Sequence, residues 1–294
     1  MTKALVLSGG GSVGIAWQTG LASGLLHKGV DIAVADFIVG TSAGSAVGAQ
    51  LALGRDMEAQ VNRYHESSDR LESDPTSTGA AGSKMAERMA KFMEIMMRVA
   101  DREPEERRRA IGKFALEVEA LPAEQFVGIF GYLAGEGWPE RYSCTAVDAE
   151  SGAFKVWNVS DGVDLDRAVA SSCCVPGLFS PITIKGRRYM DGGMRSGANA
   201  DLAVGHDVVL IVTLMTAERV PPGDPRLARV VQTAAEEHKV LEDSGSRIEV
   251  VGPDAGAAKV MGMNLMDASI APAAALEGVR QGEEIAERLG AFWS

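Results

Sequence analysis

Phe37-Ile38-Val39-Gly40-Thr41-Ser42-Ala43-Gly44 is the stretch of sequence that decides the fold of this chain. Its first three residues are apolar and favour extended structure, as in a buried strand, and the small apolar residues 43–53 favour a helix inside a fold. A strand that passes through a glycine turn straight into a buried helix is typical of a parallel sheet covered by helices.

The same alternation continues on both sides of this stretch. Before it, the apolar run 4–7 enters a glycine turn, and residues 15–27 have helical periodicity. Further along, apolar strands are predicted at 142–147, 154–159, 182–184, 188–190, 207–214 and 247–251, with helices at 165–174 and 272–292. We therefore predict an α/β protein, a three-layer α/β/α sandwich with a mainly parallel sheet.

Residues 55–138 differ in composition and predict a helical cap insertion within a single domain that spans residues 1–294. Residues 67–84 are rich in Ser, Thr, Asp and Gly, and they predict a loop. An apolar stripe rich in methionine, between Met85 and Val99, predicts an amphipathic helix. This stripe either packs on the core or forms a soft interfacial face.

The composition excludes several classes of protein. Hydrophobic residues make up 46% of the 294 positions and the formal net charge is −11, which argues against disorder and against binding of nucleic acid. The three cysteines suit neither a disulfide framework nor a zinc site, so we expect no metal, no cofactor and a reduced, cytoplasmic setting. No apolar run is long enough for a transmembrane helix, which leaves peripheral contact with a membrane surface open.

Gly40, Ser42 and Gly44 form a G-x-S-x-G motif between the predicted strand and the predicted helix. In that setting a sharp turn lifts the serine hydroxyl out of the sheet, and the glycines remove Cβ atoms that would block the turn. The helix N-terminus favours developing negative charge beside the serine. The pentapeptide alone is a weak signal, and the alternative is that Ser42 caps the helix in a tight turn.

A second glycine-rich motif, Gly9-Gly10-Gly11-Ser12-Val13-Gly14, follows the first predicted strand. Its closely spaced N–H groups at a helix start suit the oxyanion of a tetrahedral intermediate. The same string fits the G-x-G-x-x-G fingerprint of dinucleotide-binding proteins. That alternative requires an acidic residue at the end of the second strand, where this chain has Val39-Gly40-Thr41.

A serine nucleophile needs a base. The histidines available are His27, His65, His206 and His238. Their settings, near a helix end, in polar helices or before a strand, favour structural or solvated roles. Asp191 differs, because it ends a predicted strand and is followed by Gly192 and Gly193, which let a ligand or another backbone approach closely. A carboxylate in this position is either a turn former or the base.

Taken together and in this order, the three motifs resemble the patatin-like phospholipase family. Residues 170–181, which end in Val175-Pro176-Gly177-Leu178-Phe179-Ser180-Pro181, are similar to the helix and proline-rich turn that precede the family's aspartate. The resemblance covers roughly residues 4–54 and 140–215. It implies a serine acyl hydrolase that cleaves the carboxylic ester of a lipid through an acyl-enzyme, with a Ser–Asp dyad and no histidine.

The resemblance implies a role for each motif residue. Ser42 attacks the ester, and Asp191 takes its proton and later activates water. The oxyanion hole is formed by Gly9, Gly10, Gly11 and Ser12. The glycines that support the motifs are Gly14, Gly40, Gly44, Gly192 and Gly193. Val13 is a departure, because many members carry Lys or Arg there, so the choice of substrate is expected to differ.

Three alternatives stay open on the sequence. They are an acyltransferase that uses the same dyad, a dinucleotide-binding protein that uses residues 9–14, and a lipid-binding relative without catalysis. The expected partner is a lipid or acyl-ester substrate. The sequence predicts neither the head group, nor the length of the acyl chain, nor the oligomeric state.

Overall fold

Strands and helices alternate in the computed structural model, which describes residues 1–72, 79–216 and 225–294. In chain order the elements are β1 (Lys3–Leu7), α1 (Gly11–His27), β2 (Phe37–Gly40), α2 (Ala43–Ala52), α3 (Met57–Glu72), α4 (Gly79–Arg98), α5 (Pro104–Glu117), α6 (Ala123–Ile129), β3 (Tyr142–Asp148), β4 (Phe154–Trp157), α7 (Leu165–Ser172), β5 (Ile182–Ile184), β6 (Arg187–Asp191), β7 (Val208–Val212), α8 (Pro225–Asp243), β8 (Arg247–Val251), α9 (Ala255–Met261) and α10 (Ala271–Trp293).

The strands form one sheet in the order β5-β6-β3-β2-β1-β7-β8, with β4 also paired to β3. The five strands from β3 to β8 in that order are parallel, whereas β4, β5 and β6 form antiparallel pairs. Leu7 pairs with both Gly40 and Val212, so the carboxyl ends of β1, β2 and β7 lie level with one another. In a sheet of this kind the loops at that edge are where ligands bind.

The sheet is buried on both faces. Leu5, Leu7 and Ile38 point to one face and pack with side chains of α1, α2 and α10. Their neighbours Val6 and Val39 point to the other face and pack with residues 198–203 and with α8. Because successive side chains of a strand alternate between faces, this arrangement gives three layers, as the apolar strands predict. The predicted α/β/α sandwich is confirmed.

Helices α1 and α10 approach each other so closely that their backbones touch. The contact is lined by four glycines, each one placed so that an added Cβ would overlap a backbone carbonyl of the opposite helix: Gly20, Gly24, Gly278 and Gly282. Larger residues at these positions would hold the two helices apart. The contact fixes α1, whose N-terminus lies at the carboxyl edge of β1.

Residues 55–138 are mostly helical, as predicted, and contain α3 to α6. The loop predicted at 67–84 is wrong for 67–72 and for 79–84, which are helical, and the rest of it lies outside the described residues. The predicted stripe packs on the core through side chains such as Met89 and Phe92 of α4 and Val99 just after it. The division of the chain into domains stays a prediction.

Within the described ranges, no helix combines the length and the apolar character needed to cross a bilayer.

Candidate active site

Ser42 lies at a sharp turn between β2 and α2, as the G-x-S-x-G motif predicts. Its backbone has φ 52° and ψ −121°, which is a strained conformation for a residue with a side chain. Gly40 and Gly44 make the turn possible. A Cβ on Gly40 would overlap the backbone of Gly44, and a Cβ on Gly44 would overlap the carbonyl of Leu7. The turn places Ser42 at the carboxyl edge of the sheet, where 9% of its surface is exposed.

The end of α7 holds this strained turn in place. The N–H of Ser42 donates a hydrogen bond to Oγ of Ser172 at 3.0 Å. The carbonyl of Ser42 accepts from Oγ of Ser45 at 2.6 Å and from Sγ of Cys173 at 3.1 Å. Burial raises the pKa of the Cys173 thiol well above its usual range, so the sulfur keeps its proton and remains a donor.

Asp191 ends β6 and lies beside Ser42. The strand register explains why the two residues lie close together. Strand β3 lies between β2 and β6, and its residue Cys144 pairs with Gly40 of β2. Two residues further along β3, Ala146 pairs with Asp191 of β6. The carboxylate accepts a hydrogen bond from the N–H of Gly193 at 2.7 Å. The Ser42 hydroxyl is close enough to lower the pKa of the carboxyl.

The Asp191 carboxyl is almost completely buried, with 2% of its surface exposed. Burial raises its pKa from an ordinary 3.8 to about 7, although Gly193 and Ser42 act in the opposite direction. Removal of the carboxylate from water disfavours its charged form, and this effect on the pKa is larger than the opposite effect of Gly193 and Ser42. A carboxyl with this pKa is a far stronger base than one on the surface.

The glycine loop after β1 lies against the serine. A Cβ on Gly9 would stand 3.3 Å from the Cβ of Ser42, so a side chain there would press on Ser42. The N–H of Gly9 donates to the carbonyl of Gly197 at 2.9 Å and is therefore engaged. Within the described part of the chain, the N–H groups of Gly10, Gly11 and Ser12 have no acceptor. They stand at the first turn of α1, where free N–H groups and the helix dipole favour an anion.

Two of the supporting positions show why the motifs need small residues. Gly192 packs on β3 so tightly that a Cβ would overlap the Thr145 side chain, and a Cβ on Gly14 would stand only 3.0 Å from Cδ2 of Leu214. Val13, where the resemblance implies a basic residue, is fully buried, and its N–H donates to the carbonyl of Leu265. This position therefore presents an apolar side chain to the core and no charge to the site.

A buried polar network that the sequence did not predict joins the residue before Ser42 to β3 and to Asn199. Oγ1 of Thr41 is 2.9 Å from Oγ1 of Thr145, and Nδ2 of Asn199 donates to Oγ1 of Thr41 at 3.0 Å. All three residues are fully buried. Thr41 precedes Ser42 and Thr145 contacts Gly192, so the network links the serine turn to the loop after Asp191. The sequence signal was weak, because none of the three stands in a recognisable pattern.

A cavity of about 430 Å³ opens beside Ser42, well within the size range of small-molecule sites. One wall is mainly apolar and comes from α6, the residues just after it and the turn after α7: Phe126, Ile129, Phe130, Tyr132, Val175 and Phe179. The rings of Phe126 and Phe179 stack with centroids 3.8 Å apart, which makes this wall continuous across two segments. The sequence analysis missed this wall, although the aromatic residues that follow Pro122 were visible in the sequence.

The sequence model of the patatin-like phospholipase family matches residues 5–204, which include all three motifs. The chain belongs to the patatin-like phospholipase family. Membership places it among the carboxylic ester hydrolases. A search among curated proteins finds no match.

Two solved structures are similar in part. VipD from Legionella pneumophila has 15% sequence identity and a TM-score of 0.42, and the match covers 98% of this chain and 67% of VipD. The type III effector protein ExoU has the same identity and TM-score, and the match covers 98% of this chain and 53% of ExoU. This chain therefore spans about half the length of ExoU. Likeness of this degree carries no argument about fold or chemistry.

Three histidines of this patatin-like protein lie outside the cavity beside Ser42. Nδ1 of His27 is 3.0 Å from a carboxylate oxygen of Glu283, and His206 stacks on Phe37. His238 lies on α8, and none of these three lines the cavity beside Ser42. The side chain of His65 lies outside the described residues. The predicted preference for Asp191 over these three histidines agrees with their positions.

Proposed function

We propose that this protein hydrolyses a carboxylic ester of a lipid through an acyl-enzyme on Ser42, with Asp191 as the base. The observation that carries the proposal is the position of the Ser42 hydroxyl beside a buried carboxyl whose pKa is about 7, at the edge of an apolar cavity. An apolar cavity with a few convergent polar groups and a perturbed carboxyl is the arrangement expected of an active site. The lipid substrate is expected to reach the cavity by transient contact with a membrane surface.

The reaction follows from these positions in two steps. The acyl chain lies along the aromatic wall, Oγ of Ser42 attacks the ester carbonyl, and Asp191 takes the proton from Oγ. The N–H groups of Gly10, Gly11 and Ser12 stabilise the oxyanion of the tetrahedral intermediate. When this intermediate collapses to the acyl-enzyme, the alcohol leaves and takes its proton from Asp191. Water then gives a proton to the same carboxylate as it attacks the acyl-enzyme, and Ser42 leaves with that proton. The products are a free acid and an alcohol.

The raised pKa of Asp191 predicts how activity depends on pH. The base acts in its deprotonated form, so kcat/KM should fall about tenfold for each pH unit below about 7 and reach a plateau above it. Measurement of kcat/KM between pH 5 and 9 with a neutral, soluble ester tests this, because such a substrate does not titrate in that range. A fall that begins only near pH 4 would show that Asp191 is not desolvated in solution.

Covalent labelling tests the nucleophile. Intact mass after exposure to a fluorophosphonate should show one adduct on the wild type and none on Ser42→Ala. Ser160→Ala is the matched control, because Ser160 is exposed and lies outside the cavity, and it should label like the wild type. A folded wild type without an adduct would contradict the proposal and favour a lipid-binding or dinucleotide-binding protein.

Product analysis separates the hydrolase from an acyltransferase with the same dyad. The hydrolase releases free fatty acid whether or not an alcohol acceptor such as glycerol is added. A transferase passes the acyl group to the acceptor, so its product changes from acid to new ester as the acceptor is added. Transfer as the main outcome at micromolar acceptor concentration would overturn the hydrolytic assignment and leave the dyad in place.

A further inference from the structure

The cavity beside Ser42 follows one face of α1 and one face of α2. These helices come after the adjacent parallel strands β1 and β2 and pack on the same face of the sheet, so both begin at its carboxyl edge. Gly11 and Ser42 line the cavity at that edge, and Thr19 and Gln50 line it further along the two helices. Thr19 lies eight residues after Gly11, and Gln50 lies eight residues after Ser42. Eight residues of helix span about 12 Å, so Thr19 and Gln50, here called the distal pair, lie at a similar depth.

Gln50 presents an unsatisfied oxygen in this part of the cavity. Only 7% of the surface of Gln50 is exposed, and its Nε2 donates to the carbonyl of Ala46 at 3.2 Å. Among the described residues, no group donates a hydrogen bond to its Oε1. Because the polar atoms of buried side chains are ordinarily hydrogen-bonded, this oxygen indicates a donor that a ligand supplies.

The hydroxyl of Thr19 is a second, independent sign of a polar ligand. Thr19 is 1% exposed, and its Oγ1 has no hydrogen-bond partner in the described part of the chain. A threonine within a helix has two common χ1 rotamers, because its hydroxyl often bonds to a carbonyl of the preceding turn. Since Thr19 makes no such bond, its hydroxyl can rotate to meet a ligand without the loss of a hydrogen bond.

The lining between Ser42 and the distal pair is apolar. Ile15 of α1 and Ala43 of α2 contribute to it, together with the aromatic wall. A cavity that is apolar near the ester and polar about 12 Å away is complementary to a hydrocarbon chain with a polar group near its far end. A hydroxyl both donates and accepts hydrogen bonds, so one ligand hydroxyl can satisfy Oε1 of Gln50 and the hydroxyl of Thr19 together.

We propose that the distal pair selects acyl chains that carry a hydroxyl group about 12 Å from the ester carbonyl. This inference rests on the proposed function and adds the class of acyl chain. Carbon–carbon bonds of about 1.5 Å advance roughly 1.25 Å each in an extended chain, so this distance corresponds to about ten carbons. The ligand hydroxyl donates to Gln50 and accepts from Thr19. The substrate is therefore an ester of a hydroxy acid whose hydroxyl lies far from the carboxyl group.

Three soluble esters of one chain length test the proposal. They are the p-nitrophenyl esters of decanoic acid, ω-hydroxydecanoic acid and β-hydroxydecanoic acid, each kept below the concentration at which it aggregates. The wild type should have its highest kcat/KM on the ω-hydroxy ester. Thr19→Val keeps the shape of the side chain and removes the hydroxyl, so the ratio of kcat/KM for the ω-hydroxy ester to that for the decanoate should fall about tenfold. Gln50→Leu should lower the same ratio by a similar factor.

Thr183→Val is the matched control, because Thr183 is exposed on β5 and lies outside the cavity. It should leave the ratio unchanged, and Thr19→Ser, which keeps the hydroxyl, should keep the preference. The Tm of Thr19→Val should equal or exceed that of the wild type, since the substitution removes a buried hydroxyl without a partner. A clear fall in Tm would show that the hydroxyl is bonded within the fold, and it would overturn the inference.

Two further outcomes would overturn the inference and keep the proposed function. One is a ratio that neither Thr19→Val nor Gln50→Leu changes, which would mean that ordered water satisfies the distal pair. The other is an equal preference for the β-hydroxy ester, because its hydroxyl lies beside Ser42 and not at the distal pair. A wild type that hydrolyses none of the three esters and takes no fluorophosphonate contradicts the function itself.

Discussion

Replacement of Asp191 by Asn should lower kcat/KM by about 10³-fold, within the range that a positioned general base contributes. The amide keeps the shape of the side chain, and its oxygen still accepts from the N–H of Gly193, but it takes no proton from Ser42. The loss should appear in kcat as well as in kcat/KM, because the proton moves in the transition state. Kinetics with a soluble ester measure it, and activity within tenfold of the wild type would exclude Asp191 as the base.

The same substitution should stabilise the folded protein at alkaline pH. The carboxyl has a folded-state pKa of about 7 against an ordinary 3.8, so the folded protein holds this proton more tightly than the unfolded chain. Stability from this group is complete below about 4 and is lost as pH rises through 7, by up to about 4 kcal/mol. Asn carries no charge and avoids this loss.

A comparison of Tm at pH 5 and pH 8 tests the sign. Asp191→Asn should gain several degrees over the wild type at pH 8, and the gain should shrink at pH 5. Asp207→Asn is the control of opposite sign, because the backbone N–H of Thr2 lowers the pKa of Asp207 and its contribution is lost as pH falls. A variant that loses both activity and stability at pH 8 would mean that Asp191 is a structural residue.

The sequence predicted the sheet and the dyad because both depend on local signals. Buried strands such as 208–212 are continuous apolar runs, and the glycines around Ser42 and Asp191 are required by backbone geometry within a few residues. The roles of these residues stay predictions. Their meeting follows from the order of strands, which places β6 beside β3 and β3 beside β2.

The features that the sequence did not reveal depend on contacts between distant segments. The hydrogen bond from the N–H of Ser42 to Oγ of Ser172 joins residues more than 100 positions apart, and so does the one from Asn199 to Thr41. The prediction of a loop at 67–84 was wrong for a related reason. The stripe that buries Met57 and Val61 anchors α3 on the core, and such packing overrides weak local preferences against helix.

The contact between α1 and α10 gives the second large effect. Gly24→Ala should destabilise the protein by about 3 kcal/mol, at the upper end of what overpacking costs. Alanine favours helix over glycine by about 1 kcal/mol, so propensity alone predicts the opposite sign. The steric effect is larger than the effect of helix propensity because the new Cβ would overlap the backbone of Val279. Unlike a side chain, a backbone cannot change rotamer to relieve the overlap. The two helices must therefore separate along their shared length.

Urea unfolding followed by circular dichroism measures the loss, with Gly128→Ala as the control. Gly128 lies in α6, is exposed, and an added Cβ meets nothing within 4 Å, so the control should be neutral or gain up to about 1 kcal/mol. Gly24→Ala with wild-type stability would mean that the helices are not in backbone contact in solution.

A double variant separates this mechanism from two local clashes. Gly20 meets the carbonyl of Ala275 one turn away on the same helix pair. If each substitution forces the helices apart, the first already makes room for the second, so Gly20→Ala with Gly24→Ala should cost clearly less than the sum of the two. Additive losses would indicate independent local strain. Because α1 begins at Gly11, separation would also displace the free N–H groups beside Ser42, and kcat should fall with stability.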